Sequence, residues 1–116
     1  MIWENIDNLV SYLQARGEYK NIVMTSGGFD PVHVGHVRCI IESADISKKL
    51  DDSTFVVVAN ADEFLLSKKG FIFMPETERM EILQAIKGVD HVVKWYDGTQ
   101  TCIGAIERLG PTFFTK

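Results

Sequence analysis

Apolar residues along this chain follow two patterns that alternate with each other. Apolar positions three or four residues apart predict amphipathic helices. Residue Pro75 opens the third of these helices, where its missing N–H does no harm, and Gly17 and Gly110 follow the first and the last. The four predicted helices cover residues 3–16, 35–50, 75–88 and 101–109.

Short unbroken apolar runs predict strands at residues 21–25, 54–59, 91–94 and 112–114. The run TFVVVA at 54–59 is rich in β-branched residues, as is typical of a strand covered on both faces. Residues 61–74 mix charge, glycine and aromatic side chains and are predicted to form a loop. Alternating strands and helices predict an α/β fold, a Rossmann-like doubly wound parallel sheet with helices on both faces in three α/β/α layers.

Length and composition favour one globular domain over residues 1–116. Hydrophobic residues make up 46% of the chain and charged residues 24%, which argues against disorder. No apolar run approaches the roughly 20 residues that span a bilayer, and no secretory signal precedes the first helix. We therefore expect no membrane partner.

The net charge of −4 argues against a nucleic-acid-binding protein, because a phosphate backbone is usually met by a basic face. A single nucleotide needs only a local site and is not excluded. The two cysteines, Cys39 and Cys102, form neither a CxxC pair nor a zinc pattern. A reduced pair, and hence a cytoplasmic location, is the expectation.

The unusual chemistry lies in residues 26–36, where the first strand runs into the second helix. Two glycines, Gly27 and Gly28, allow the backbone to approach a ligand, and Gly35 leaves space between His33 and His36. The two histidines stand three residues apart at a helix start, so their rings can share a face. Unpaired N–H groups at a helix N terminus suit an anion such as phosphate.

Other interpretations of this segment are weaker. Neither a GxxxxGK[ST] loop nor a GxGxxG fingerprint is present. A metal held by His33, His36 and Asp30 is conceivable, but HxxH is a weak signal and we predict no metal site in the protein. A purely structural segment, in which one histidine caps the helix and the other packs, also accounts for single residues but not for the whole series.

The segment Gly27-Gly28-Phe29-Asp30-Pro31-Val32-His33-Val34-Gly35-His36 closely resembles the G-x-F-D-x-x-H-x-G-H signature of the cytidylyltransferase-like nucleotidyltransferase superfamily. Residues 58–63, 68–70, 76–93 and 110–116 resemble further segments of that family. The pattern is nearest to the heptose 1-phosphate adenylyltransferase and glycerol-3-phosphate cytidylyltransferase types. Family members usually continue with another phosphate-binding segment, which we expect this chain to lack.

The resemblance implies transfer of AMP or CMP from ATP or CTP, with Mg²⁺, to a phosphorylated sugar or polyol, and release of pyrophosphate. It implies catalytic roles for His33, His36, Lys68 and Lys69, and substrate binding by Asp62 and Arg79. A homodimer is possible. A catalytically weak nucleotide-binding or scaffold domain of the same fold is the alternative. The residues implied to bind the nucleotide are Gly27, Gly28, Phe29, Asp30, His33, Gly35 and His36.

Overall fold

The structure is a computed structural model that describes residues 1–17 and 20–115, so that Lys116 of the last resembling segment lies outside the described residues. Strands and helices alternate along most of the chain. The strands are β1 (Ile2–Trp3), β2 (Asn21–Gly27), β3 (Ser53–Asn60), β4 (His91–Trp95) and β5 (Phe113–Thr115). The helices are α1 (Ile6–Arg16), α2 (Val34–Lys48), α3 (Asp62–Lys69), α4 (Glu76–Ala85) and α5 (Ile103–Leu109).

Within the described ranges the strands form one parallel sheet in the order β1-β4-β3-β2-β5. The central pair is long: β2 and β3 stay in register from Asn21 opposite Ser53 to Gly27 opposite Ala59. Strands β2 and β5 are neighbours although most of the chain separates them, which places a change of winding direction at the carboxyl end of β2. Ligands of open α/β sheets bind at such points.

Two buried clusters lie on opposite faces of the sheet, and alternate residues of β3 supply both. Phe55 and Val57 face the cluster under α2 and α4, whereas Val56 and Val58 face the cluster under α1 and α5. This alternation explains the unbroken apolar run of β3, because both faces of the strand are covered by helices. The predicted three-layer α/β/α fold is confirmed.

Two elements differ from the predictions. The chain begins with the short strand β1, and the first helix starts only at Ile6, where Asn5 accepts hydrogen bonds from the N–H groups of Asp7 and Asn8 at 2.7 and 3.3 Å. The region predicted as a loop contains helix α3. Its apolar face is only two buried residues, Phe64 and Leu65, which is too short for a periodic signal.

Strand β1 brings the N-terminal segment onto His91 at the start of β4. The indole Nε1 of Trp3 donates to Nδ1 of His91 at 3.1 Å, and the Tyr12 ring meets the imidazole edge-on. Burial lowers the pKa of His91 to about 4, and the positive charges of the amino terminus and Arg16 add to this while Asp90 opposes it. The imidazole is therefore neutral at neutral pH.

We expect acid to destabilise the fold through His91. The unfolded chain takes up a proton on the His91 imidazole near its ordinary pKa of 6.5, whereas the folded chain does so only near pH 4. The stability that the neutral imidazole contributes to the fold is therefore complete above pH 6.5 and is lost as the pH falls towards 4. Between pH 7 and 5 the loss is about 2 kcal/mol. Urea unfolding at pH 7 and pH 5 should show this loss in the free energy of unfolding for the wild type and a smaller loss for His91→Gln. Equal losses in the two proteins would show that His91 is not responsible for the acid sensitivity.

Candidate functional site

Residues 26–36, the glycine–histidine segment, lie on a cleft at the carboxyl ends of β2, β3 and β5. Two adjoining cavities, of about 480 and 590 Å³, make up this cleft and share Gly28, Asn60 and Lys68. The first cavity, called the polar cavity below, is the more polar of the two, and the second, called the apolar cavity, has a largely apolar lining. The remaining lining residues of the first are Phe29, Asp30, Pro31, His33, His36, Leu65 and Lys69, and those of the second are Ser26, Gly27, Phe64, Gln100, Thr101, Cys102, Ile103, Ile106 and Phe114.

The two histidines form a stacked pair at the start of α2. Their ring centroids lie 3.7 Å apart with the planes inclined by 26°, and the ring of Phe29 meets that of His36 edge-on at 5.2 Å. Residue His33 is the N-cap of α2, with extended backbone angles that end the preceding turn. The spacing of three residues thus places both imidazoles on one wall of the cleft.

Backbone contacts determine which nitrogen of each ring is available. Nδ1 of His33 accepts from the Gly35 N–H at 3.0 Å, and Nδ1 of His36 accepts from the His33 N–H at 3.2 Å. Because Nδ1 accepts in both, a neutral ring carries its proton on Nε2. Burial, followed by the neighbouring His33, lowers the pKa of His36. The pair can therefore present two Nε2–H donors to an anion.

The glycines of the segment make room for rings. A side chain at Gly27 would meet the Phe29 ring at 3.1 Å, and one at Gly35 would meet Cε1 of His33 at 2.9 Å. The space that Gly35 leaves is thus next to the His33 ring, and Gly35 does not line the cleft, although the family resemblance places it among the nucleotide-binding residues. Residue Phe29 has a φ of 53°, a left-handed backbone that costs about 1–3 kcal/mol for a residue other than glycine.

Residue Asp30 anchors the loop that joins α3 to α4. Its buried carboxylate accepts from the N–H groups of Phe73 and Met74 at 2.8 and 2.6 Å and pairs with Lys69 at 2.9 Å. Burial raises the pKa of Asp30, but the hydrogen bonds from Lys69, Phe73 and Met74 outweigh it, and the net pKa is lowered. The carboxylate of Asp30, which the family resemblance places among the nucleotide-binding residues, is thus occupied by contacts within the protein.

The two predicted catalytic lysines lie in different environments. The ammonium of Lys69 pairs with Asp30 and lies 4.9 Å from the centroid of the Phe71 ring. Lys68 lines both cavities, and its ammonium lies 5.9 Å from the centroid of the Phe64 ring. Since Lys68 forms no ion pair with any residue that the structure describes, it is the better placed of the two to meet a phosphate.

Residue Arg79 lies beneath the cleft and is fully buried. Its Nε donates to the carbonyl of Met74 at 2.8 Å, and one terminal nitrogen donates to the carbonyls of Gly28 and Asn60 at 2.8 and 2.6 Å. The other terminal nitrogen pairs with Asp62 at 2.8 Å. The guanidinium of Arg79 is thus hydrogen-bonded to four acceptors of the protein itself. Substrate binding by Arg79 stays a prediction.

Residue Asp62 caps the start of α4, and Glu76 caps the start of α3. The Asp62 carboxylate accepts from the Glu76 N–H at 2.9 Å, and the Glu76 carboxylate accepts from the Asp62 N–H at 3.1 Å. Each acid thereby satisfies an N–H at the first position of the partner helix. The second oxygen of Glu76 pairs with Lys94 at 2.9 Å. Asp62 lines neither cavity, so its predicted contact with substrate also stays untested.

A family model described as cytidylyltransferase-like matches residues 24–115, which include the whole glycine–histidine segment and the cleft around it. The match extends over most of the chain. The chain belongs to the cytidylyltransferase-like family. This membership confirms the predicted resemblance and supports a nucleotidyltransferase.

Named relatives of this cytidylyltransferase-like chain include two proteins called bifunctional protein HldE. The one from Hydrogenovibrio crunogenus is 37% identical over 97% of the chain and 22% of the relative, and the one from Photobacterium profundum is 36% identical over 92% and 21%. The chain thus spans about a fifth of the length of these relatives. A crystal structure of a lipopolysaccharide core biosynthesis protein from Thermoplasma volcanium matches with a TM-score of 0.65 at 26% identity, covering 81% of this chain and 71% of that one.

Sequence reasoning missed several residues of the cleft. Asn60 ends β3 beside the glycine turn, and the rule that ligands bind at carboxyl ends of strands would have indicated it. Gln100 and Cys102 come from the loop after β4; the Gln100 amide donates to the carbonyl of Ser67 on α3 at 3.0 Å. No local pattern marks these two residues, because only the tertiary fold brings that loop to the cleft.

Replacing Asp30 by Asn should lower the free energy of unfolding by about 1–3 kcal/mol. The N–H groups of Phe73 and Met74 bind different oxygens of the carboxylate, and asparagine replaces one of these oxygens by an NH₂ donor and offers Lys69 no charge. Chemical denaturation measures the change. The control is Asp52→Asn, which removes an exposed ion pair to Lys20 at 3.8 Å and should change stability by less than about 0.5 kcal/mol. Equal effects of the two variants would show that Asp30 does not anchor the loop.

The described part of the chain holds no group of three or more histidine, cysteine, aspartate or glutamate side chains that could bind a metal. It also contains no helix long and apolar enough to cross a membrane.

Proposed function

We propose that this domain transfers a nucleotidyl group, AMP or CMP, from a nucleoside triphosphate to a phosphate oxygen of a phosphorylated sugar or polyol. The observation that carries the proposal is the stacked His33–His36 pair at the start of α2. This pair borders the cleft of a chain that belongs to the cytidylyltransferase-like family. Two Nε2–H donors beside a helix N terminus suit the phosphates of a nucleotide.

The polar and apolar cavities suit the two ends of a nucleotide. His33, His36 and Lys68 border the polar cavity and would bind the phosphates. The apolar cavity, with Ile103 and Phe114 in its lining, would take the nucleoside. The glycine turn and Asn60 lie at the junction, where the α-phosphate would sit.

The reaction is a direct displacement at the α-phosphorus. An oxygen of the acceptor phosphate forms a bond to that phosphorus, the bond from it to the bridging oxygen of the β-phosphate breaks, and pyrophosphate leaves with the electron pair. Such a transfer depends on positioning and on charge stabilisation, with little covalent chemistry for the protein. His36 would donate to the phosphate oxygens as negative charge moves onto the leaving group, and Lys68 would supply a positive charge.

Magnesium would be held mainly by the triphosphate. The carboxylate that lines the polar cavity, Asp30, is occupied by Lys69 and two backbone N–H groups, so the side chains around the cleft offer a poor oxygen cage for a metal. Nucleotide phosphates commonly provide such ligands themselves. The bound ion would neutralise part of the charge of the triphosphate.

The comparisons support a carbohydrate acceptor over a simple polyol. The matching crystal structure is named as a protein of lipopolysaccharide core biosynthesis, and this core is built from sugars. The HldE relatives match the same region of the chain. A phosphorylated sugar, such as heptose 1-phosphate, is therefore the first acceptor to test, with glycerol 3-phosphate as the second.

The test is a thermal-shift titration of the chain with Mg²⁺ and ATP, CTP, GTP or UTP. A nucleotide at about 100 times its dissociation constant stabilises by about 2.7 kcal/mol, which corresponds to a rise in Tm on the order of 10 °C for a domain of this size. We expect ATP or CTP to give this rise. His36→Ala should remove it, whereas His91→Gln, which removes a histidine far from the cleft, should retain it.

Binding that depends on His36, followed by pyrophosphate release with one acceptor, would establish the transferase. Binding without pyrophosphate release for any phosphorylated sugar or polyol would favour the scaffold alternative. A chain that no nucleotide stabilises would contradict the proposal.

A further inference from the structure

The carbonyl oxygen of Gly28 points at the buried guanidinium of Arg79, to which it is hydrogen-bonded at 2.8 Å. The Gly28–Phe29 peptide bond is trans, and in a planar trans peptide the C=O and the following N–H point in opposite directions. The N–H of Phe29 therefore points away from Arg79. Arg79 is fully buried and does not line the polar cavity, whereas Gly28 and Phe29 both line it, so we infer that the N–H faces this cavity.

The Phe29 N–H has no acceptor within the described ranges of the chain. Buried backbone N–H groups are nearly always paired, so an unpaired one at a cleft is available to a ligand. It lies in the chain between the glycine turn and the histidine pair, the segment that our proposed function assigns to the phosphates.

We propose that Arg79 is a positioning residue: it holds the Gly28–Phe29 peptide so that the Phe29 N–H faces the cleft and donates to a phosphate oxygen of the nucleotide. The inference rests on the proposed function. In this role Arg79 acts through the peptide that it orients and not through a contact of its own with the nucleotide.

Three features make this orientation depend on Arg79. The left-handed φ of 53° at Phe29 is a conformation that a phenylalanine does not favour, so the turn must be held by its surroundings. The same terminal nitrogen of Arg79 also binds the carbonyl of Asn60, which ties the turn to the end of β3. Its partner Asp62 fixes the guanidinium from the other side.

A lysine at this position would retain the positive charge but not the planar set of donors. One ammonium cannot reproduce the separate directions of the Gly28, Met74 and Asp62 contacts. Arg79→Lys therefore tests orientation more directly than a variant that removes the charge. Leu13→Ala, in the core under α1 on the opposite face of the sheet, is the control for a general loss of stability.

The experiment follows the amide of Phe29 by NMR in protein labelled with ¹⁵N-phenylalanine, while MgATP or MgCTP is added. The chain has seven phenylalanines, and Phe29→Leu identifies the resonance. In the wild type and in Leu13→Ala we expect the Phe29 amide proton to move downfield on binding. In Arg79→Lys we expect this movement to be lost and Kd to rise about tenfold, equivalent to about 1.4 kcal/mol.

The outcomes separate this inference from the proposed function. An unchanged Phe29 shift in Arg79→Lys, or an equal rise in Kd in Leu13→Ala, would overturn the role of Arg79 while nucleotide binding stands. A wild type that binds neither nucleotide would overturn both. If Arg79→Lys does not fold, Asp62→Asn replaces it: that variant keeps an oxygen for Arg79 but removes its counter-charge, and should weaken the same amide shift.

Discussion

Removing a guanidinium from water costs several kcal/mol, which acceptors for its N–H groups must offset, and the fully buried Arg79 finds four of them. The turn after β2, the end of β3, the loop before α4 and the first residue of α3 converge on this one side chain. Each segment contributes to the cleft or supports a residue that does. The position of the cleft walls thus depends on one buried cation.

Hydrogen bonds from the backbone orient the polar side chains of the cleft. Both imidazoles accept from N–H groups at the start of α2, which turns their Nε2 atoms outward. The Asp30 carboxylate binds the N–H groups of the loop before α4. The charged and imidazole side chains at the cleft therefore divide into two groups. His33, His36 and Lys68 line the polar cavity and form no ion pair with a described residue, while Asp30, Lys69 and Arg79 hold the segments that form the cleft.

The sequence predicted four of the five described strands, all but β1, and the position of the cleft, because these depend on strong local signals. An unbroken apolar run marks β3, and a glycine turn after a strand marks the ligand edge. Roles within the cleft were harder to predict, because Lys68 and Lys69 are neighbours of the same type and only α3 and Asp30 distinguish them. The burial of Arg79 and the loop bearing Gln100 likewise depend on contacts between distant segments, which no local pattern reports.

The proposed function requires the His33–His36 pair to bind nucleotide phosphates through Nε2–H. The most direct measurement is ¹⁵N NMR of the three imidazoles during titration with MgATP or MgCTP. We expect His33 and His36 to carry their protons on Nε2 in the free protein and both Nε2 resonances to move on binding, while His91 stays unchanged as an internal reference. Protons on Nδ1, or binding that leaves both rings unmoved, would contradict it.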